Sequence, residues 1–156
     1  METTNDQSKQ FQVAEIQLSY KSTVKPSMRP KINGSKDACE ILKQGWDESR
    51  LDLIEQFKVI LTNRANKVLG IFEVSTGGIA GTVADPKLIF VAALKAGASG
   101  IILSDNHPSG NLNPSQADID LTRKIKEGGK LLEISLLDHI IITSESYYSF
   151  ADEGLI

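Results

Sequence analysis

Residues 104–118, Ser-Asp-Asn-His-Pro-Ser-Gly-Asn-Leu-Asn-Pro-Ser-Gln-Ala-Asp, gather the side chains of this sequence best suited to chemistry. Asp105, His107 and Asp118 can each donate an oxygen or nitrogen to a divalent metal. Asp105 and His107 are two apart, so in an extended segment their side chains leave on the same side. Ser115 and Asp118 are three apart, which puts both on the opening turn of a helix. A strand end, a loop and a helix start can therefore aim all four at one point. Hydrolysis of an amide at neutral pH needs a nucleophilic water and a stabilised oxyanion. A Zn²⁺ held by three protein ligands lowers the pKa of its water to about 7 and leaves the fourth position open. A carboxylate beside the metal takes the proton and returns it to the leaving nitrogen. A hydroxyl supports the oxyanion. The stretch offers Asp105, His107 and Asp118 for the metal and Ser115 for the oxyanion, and Glu73, on a neighbouring strand, is the base. The pattern predicts a metal-dependent hydrolase site.

The surrounding elements must bring these groups together. Residues 100–103 are apolar on both faces, which predicts a central strand covered by helices. Ser115 then opens a helix with Ile119 and Ile125 inward, stopped at Gly128 and Gly129. Before the site, 56–62 and 67–75 are β-like runs joined by the turn signal Asn63-Arg64-Ala65-Asn66. Thr76 to Thr82 form a glycine-rich connection that lacks the lysine and spacing of a phosphate loop. Asp85-Pro86 opens a helix that Gly97 ends. Ser35 caps an earlier helix carrying Ala38, Ile41 and Leu42, with Trp46 and Leu51 continuing its packing surface. Residues 131–136, 139–143 and 147–150 are short β segments. At the start, residues 1–10 are a frayed tail and 11–20 alternate as an edge strand. Lys21, Lys25, Arg29 and Lys31 belong to a solvated linker. The order predicts an α/β domain with a mixed sheet flanked by helices. It comprises an arm over 1–34 and the folded domain over 35–156.

The length of 156 residues suits one domain with a sizeable core. A net charge of −3 argues against a dedicated nucleic-acid binder. The single cysteine, Cys39, is a small packing residue and points to a reducing, cytoplasmic compartment. No apolar run is long enough to span a bilayer. The expected partner is a protein or peptide substrate, with no membrane and no tight, specific DNA binding.

His107-Pro108-Ser109-Gly110 followed by Pro114-Ser115-x-x-Asp118 resembles the signature of JAMM (JAB/MPN-type) metalloproteases, His-x-His-Pro-x-Gly, a spacer, then Ser-x-x-Asp. Gly81-Thr82-Val83, Asn106 to Gly110 and Leu137-Asp138-His139-Ile140-Ile141 are similar to the RadC-like branch. The resemblance runs over 35–150. It implies a cytidine-deaminase-like architecture and Zn²⁺, with His107 and Asp118 as ligands, Ser115 orienting water or oxyanion, and Glu73 as general acid/base.

Asp105 stands where that signature has its first histidine. A set of two aspartates and one histidine is harder, which favours tolerance of Mn²⁺. The alternatives are an inactive interaction module of the same fold and, less favoured, a DNA-repair-associated accessory protein. RadC proteins resemble this domain joined to a helix-hairpin-helix segment, which the first ~35 residues cannot hold. Ser115 and Asp118 also form a capping box. His139 is expected to be a hydrogen-bonded structural histidine, and Asn106 to satisfy backbone groups.

Overall fold

The structure, a computed structural model, describes residues 10–78 and 83–156. Strands β1 (Gln56–Thr62) and β2 (Val68–Thr76) pair antiparallel. Asn63 makes their turn, its Oδ1 accepting from the N–H groups of Ala65 and Lys67, and Asn66 takes φ 58°. Asparagine tolerates that left-handed conformation better than most residues. Strand β3 (Gly100–Asn106) runs antiparallel to β1 and parallel to β4 (Ser135–Ile142), and β5 (Tyr147–Ser149) closes the far edge. The order β2-β1-β3-β4-β5 makes β3 central, and all seven of its residues are buried. This is the mixed α/β sheet that the sequence predicts, and it accords with a JAB/MPN fold.

A parallel pair needs a crossover. Helix α4 (Gln116–Leu131) supplies it between β3 and β4. Helix α3 (Pro86–Ala96) begins as expected, with Asp85 accepting from Lys87 N–H, and ends at Gly97 with φ 67°. Helices α1 (Ser35–Gly45) and α2 (Glu48–Leu51) precede the sheet. Side chains alternate along a strand. The odd-numbered Phe57, Val59, Leu61, Ile101 and Leu103 therefore pack with Ile89, Ala93 and Ile125 of α3 and α4. The even-numbered Ile60, Ile102, Ile140 and Ile142 pack with Ala38, Leu42 and Trp46 on the α1 side.

Four expectations are corrected. Residues 11–20 form no strand: Phe11, Val13, Ile16 and Leu18 are all more than three-quarters exposed, and alternation without a ladder partner is not enough to make one. Gly34, not Ser35, caps α1, because the Ser35 hydroxyl is taken by Asp152 and lies near Tyr147. Helix α4 continues through Gly128 and Gly129 to Leu131, and β structure resumes only at Ser135. Residues 1–9 and 79–82, which include the tail and most of the glycine-rich connection, lie outside the described residues.

Gly129 is where the chain leaves α4, its carbonyl accepting from both Leu132 and Ile134. A Cβ there would lie 2.2 Å from the Ile134 carbonyl oxygen, whereas one on Gly128 would meet only the Phe90 ring at 3.0 Å. Alanine normally stabilises a helix relative to glycine by about 0.5–1 kcal/mol. Gly129→Ala should reverse that sign, destabilising by about 1–3 kcal/mol and lowering Tm by about 2–4 °C for each kcal/mol. Gly128→Ala should cost less, because a side chain can yield where backbone cannot. Calorimetric melting of both variants checks this, and equal Tm values would refute it.

Candidate metal centre

The site lies where β3 ends. Phe57 of β1 pairs with Asp105, so continuing the antiparallel register brings Glu55, just before β1, level with His107. Asn106 clips the two segments together from within the protein. Its Nδ2 donates to the carbonyls of Leu51 and Ile54, at 2.7 and 2.8 Å, and its Oδ1 accepts from Gln56 N–H at 2.7 Å. The loop after β3 starts with His107, whose N–H bonds Ile142 O of β4. Asp118 enters from the first turn of α4, and its Oδ2 accepts from the backbone N–H of Ser115 at 2.8 Å.

The hydrogen bonds of His107 define its orientation. Its Nδ1 lies 2.6 Å from the carbonyl of Asn111, and a carbonyl only accepts, so Nδ1 carries a hydrogen. Nε2 then faces Asp105 Oδ2 at 3.0 Å and Asp118 Oδ2 at 3.4 Å. Asp105 Oδ2 is buried and makes no aligned hydrogen bond. A buried carboxylate oxygen left so is costly unless a cation satisfies it. Ligand atoms of Glu55, Asp105 and His107 all lie within 4.8 Å of one another, as do those of Asp105, Asp118 and His139. The donor set therefore fits a divalent metal, with the Asn111 carbonyl holding the imidazole in the required tautomer.

The electrostatics agree. The carboxylates of Asp105 and then Asp118 push the His107 imidazole up to about 10, against the opposing effect of burial. Burial works to raise Asp118, but His107 and the Ser115 hydrogen bonds outweigh it and hold the carboxyl below its ordinary value. Glu55 is raised, first by burial and then by the negative charge of Asp105.

Of the residues singled out in the sequence, Asp105, His107 and Asp118 are brought together. Ser115 stands beside them, but its Oγ accepts from Asp118 N–H at 3.1 Å in a completed capping box. Glu73 is not brought in. It pairs with Lys58, whose other partner is Ser104, so it belongs to the opposite face from Phe57 and Asp105 and lies a full strand further out. Its Oε1 accepts from Gln56 Nε2 and Thr76 Oγ1, both at 2.6 Å. Sequence reasoning missed Glu55. A glutamate immediately before a strand was the available signal, but only the β1–β3 register sets it beside His107. His139 is wholly buried and hydrogen-bonded, with Nε2 2.6 Å from Asp105 Oδ1.

A family model described as the RadC-like JAB domain matches residues 32–155, a span that contains the whole cluster. A UPF0758 protein of Flavobacterium johnsoniae is 45% identical over 144 residues, covering 92% of this chain and 62% of the relative. One from Desulfitobacterium hafniense is 37% identical over 131 residues, covering 84% and 56%. Another, from Chlorobaculum parvum, is 36% identical over 153 residues, covering 96% and 67%. The chain thus spans well under the full length of the curated relatives it matches. Among the described residues no helix is long and apolar enough to cross a membrane.

Two outcomes follow from this geometry. Asn106→Ala leaves two carbonyls and one N–H without their buried partner, so it should cost about 2–5 kcal/mol in urea unfolding. An unchanged midpoint would show that Asn106 does not hold Glu55 to β3. For the metal-free protein, the His107 value in the folded state exceeds the roughly 6.5 of an unfolded chain. The folded state then binds the extra proton between those values, so stability falls as pH rises from about 6.5 to about 10. Denaturation of chelator-treated protein across that range should show the decline, and a flat or rising profile would contradict it.

Proposed function

Because the chain belongs to the RadC-like JAB domain family, we propose that it is a metal-dependent hydrolase of amide bonds in protein or peptide substrates. Asp105, His107 and Asp118 are the ligands, and Glu55 is the general acid/base. The observation that carries this is the buried Oδ2 of Asp105, which faces His107 Nε2 at 3.0 Å and has no other partner. Two carboxylates and one imidazole suit Zn²⁺ and make the site more tolerant of Mn²⁺ than an imidazole-rich set. The metal, when bound, supplies a Lewis acid and an acidified water.

The chain's own residues do the rest. Asn111 fixes the tautomer of His107 through Nδ1. Ser115 N–H holds one oxygen of Asp118 at the site. Glu55 is half-buried, and its carboxyl is raised from the ordinary range, which moves it toward the neutral pH at which a proton shuttle works best. It takes the proton from the attacking water and delivers it to the departing nitrogen. Glu73, bonded to Gln56 and Thr76 on the other face, has no part in this exchange. One observation favours the alternative, a non-catalytic interaction module: Asp105 commits its Oδ1 to His139 and keeps a single oxygen for a metal.

Metal analysis and turnover separate the two. Protein purified without a metal-binding tag should bind Zn²⁺ or Mn²⁺ at one site and cleave members of a fluorogenic peptide and isopeptide panel. Glu55→Gln should keep the metal and lose about 10²–10⁴ in rate, while Glu73→Gln keeps both. Loss of activity in Glu73→Gln with Glu55→Gln unaffected would overturn the assignment. Failure to bind either metal would favour the interaction module.

A further inference from the structure

We infer that His139 is a positioning residue for the metal centre, fixing the Asp105 carboxylate so that only Oδ2 is presented to the ion. This rests on the metal-site assignment above and names a residue which that assignment leaves out. His139 lies in β4, the parallel partner of β3, paired with Leu103, and no part of it reaches solvent. Its ring is sandwiched rather than free to turn. It stacks on Phe150 with centroids 4.5 Å apart at 13°, and meets the edge of Phe57 at 5.8 Å and 66°.

The hydrogen inventory determines what each ring nitrogen does. The Thr122 hydroxyl lies 2.6 Å from the carbonyl of Asp118, which only accepts, so the hydroxyl donates there. Its oxygen, 2.7 Å from His139 Nδ1, must then accept from Nδ1–H. At the other nitrogen, Nε2 is hydrogen-bonded to Asp105 Oδ1 at 2.6 Å. Both nitrogens are therefore engaged, and His139 is not free to be a ligand although it lies within 4.8 Å of Asp105 and Asp118 donors. The chain Asp105–His139–Thr122–Asp118 instead ties the end of β3 to the first turn of α4. One imidazole sets the direction of one ligand and is tied to the backbone of the next. Asp105 is short and could rotate or bind through both oxygens. With Oδ1 held by His139, only a monodentate Oδ2 remains.

Zinc titration by calorimetry on the full chain tests this, with folding monitored by circular dichroism. His139→Phe keeps the stacked ring and removes both nitrogens. It should weaken zinc binding about 10–100-fold, the usual effect of losing an outer partner of a ligand. His139→Gln, whose amide N–H can still reach Asp105, should recover most of that affinity. A role in packing alone would predict the opposite ranking. The absorption spectrum of the Co²⁺-loaded protein, sensitive to coordination number, should change in His139→Phe and return toward the parent in His139→Gln. If His139→Phe fails to fold, Thr122→Val removes the acceptor at Nδ1 together with the donor to the Asp118 carbonyl, breaking the chain at its middle, and should weaken zinc binding in the same direction. Folded variants that all bind zinc as the parent does would overturn the positioning role while leaving the metal site intact. A parent that binds no zinc, manganese or cobalt would overturn the metal site, and this role with it.

Discussion

Asp105 and Asn106 end the central strand with two polar side chains taken entirely out of solvent, and each is tolerated only because distant segments come to meet it. Asn106 is satisfied by three backbone groups around the start of β1. Asp105 is hydrogen-bonded at one oxygen to His139, and its other oxygen faces His107 Nε2 alone, at 3.0 Å. A buried amide with all its partners contributes rigidity, whereas a buried carboxylate oxygen needs a cationic group against it. The protein thus makes one of these neighbours secure and leaves the other needing a cation. That asymmetry sets the candidate site apart from a purely structural strand end.

The same arrangement explains why His107 is so strongly perturbed. Two carboxylates approach a single imidazole nitrogen, and in the absence of a metal a proton is the only cation available to hold them apart. A divalent metal held between these groups would displace that proton. The surroundings favour whichever cation is present: the Ser115 amide holds Asp118, the Asn111 carbonyl holds the His107 ring, and the aromatic rings of Phe57 and Phe150 confine His139. Asp105, at the position where the resembled signature has a histidine, therefore does not leave a hole. It places a carboxylate against a second histidine already in reach.

The layers of the sheet divide these duties. Odd positions of β1 and β3 face α3 and α4 and carry Asp105 at their end, while even positions face α1 and supply packing and the Asn106 clip. Glu73 of β2, opposite Lys58, lies on the α1 face, and Glu55, two before Phe57, on the face of Asp105. Both glutamates are odd-numbered, and it is the irregular β1–β2 register, pairing Glu73 with Lys58, that puts Glu73 on the opposite face from Asp105.

Much was legible in the residues alone. The apolarity of Gly100 to Leu103, the Asp85-Pro86 opening, the Gly97 stop and the Ser115 cap are local signals, set by backbone sterics and by hydrogen bonds within a few residues, and the structure repeats them. Asp105, His107 and Asp118 could be grouped because a short loop joins a strand to a helix start, which limits how far apart they can lie. Long-range pairing was not legible. Nothing near Glu55 encodes the register of β1 against β3, nothing near Asp138-His139 says that its ring meets Asp105, and the alternation of residues 11–20 needed a neighbouring strand that did not come. A side chain's type and its local spacing belong to the sequence. Which other side chain lies opposite it depends on how the sheet assembles, where the burial of many residues at once outweighs any local preference.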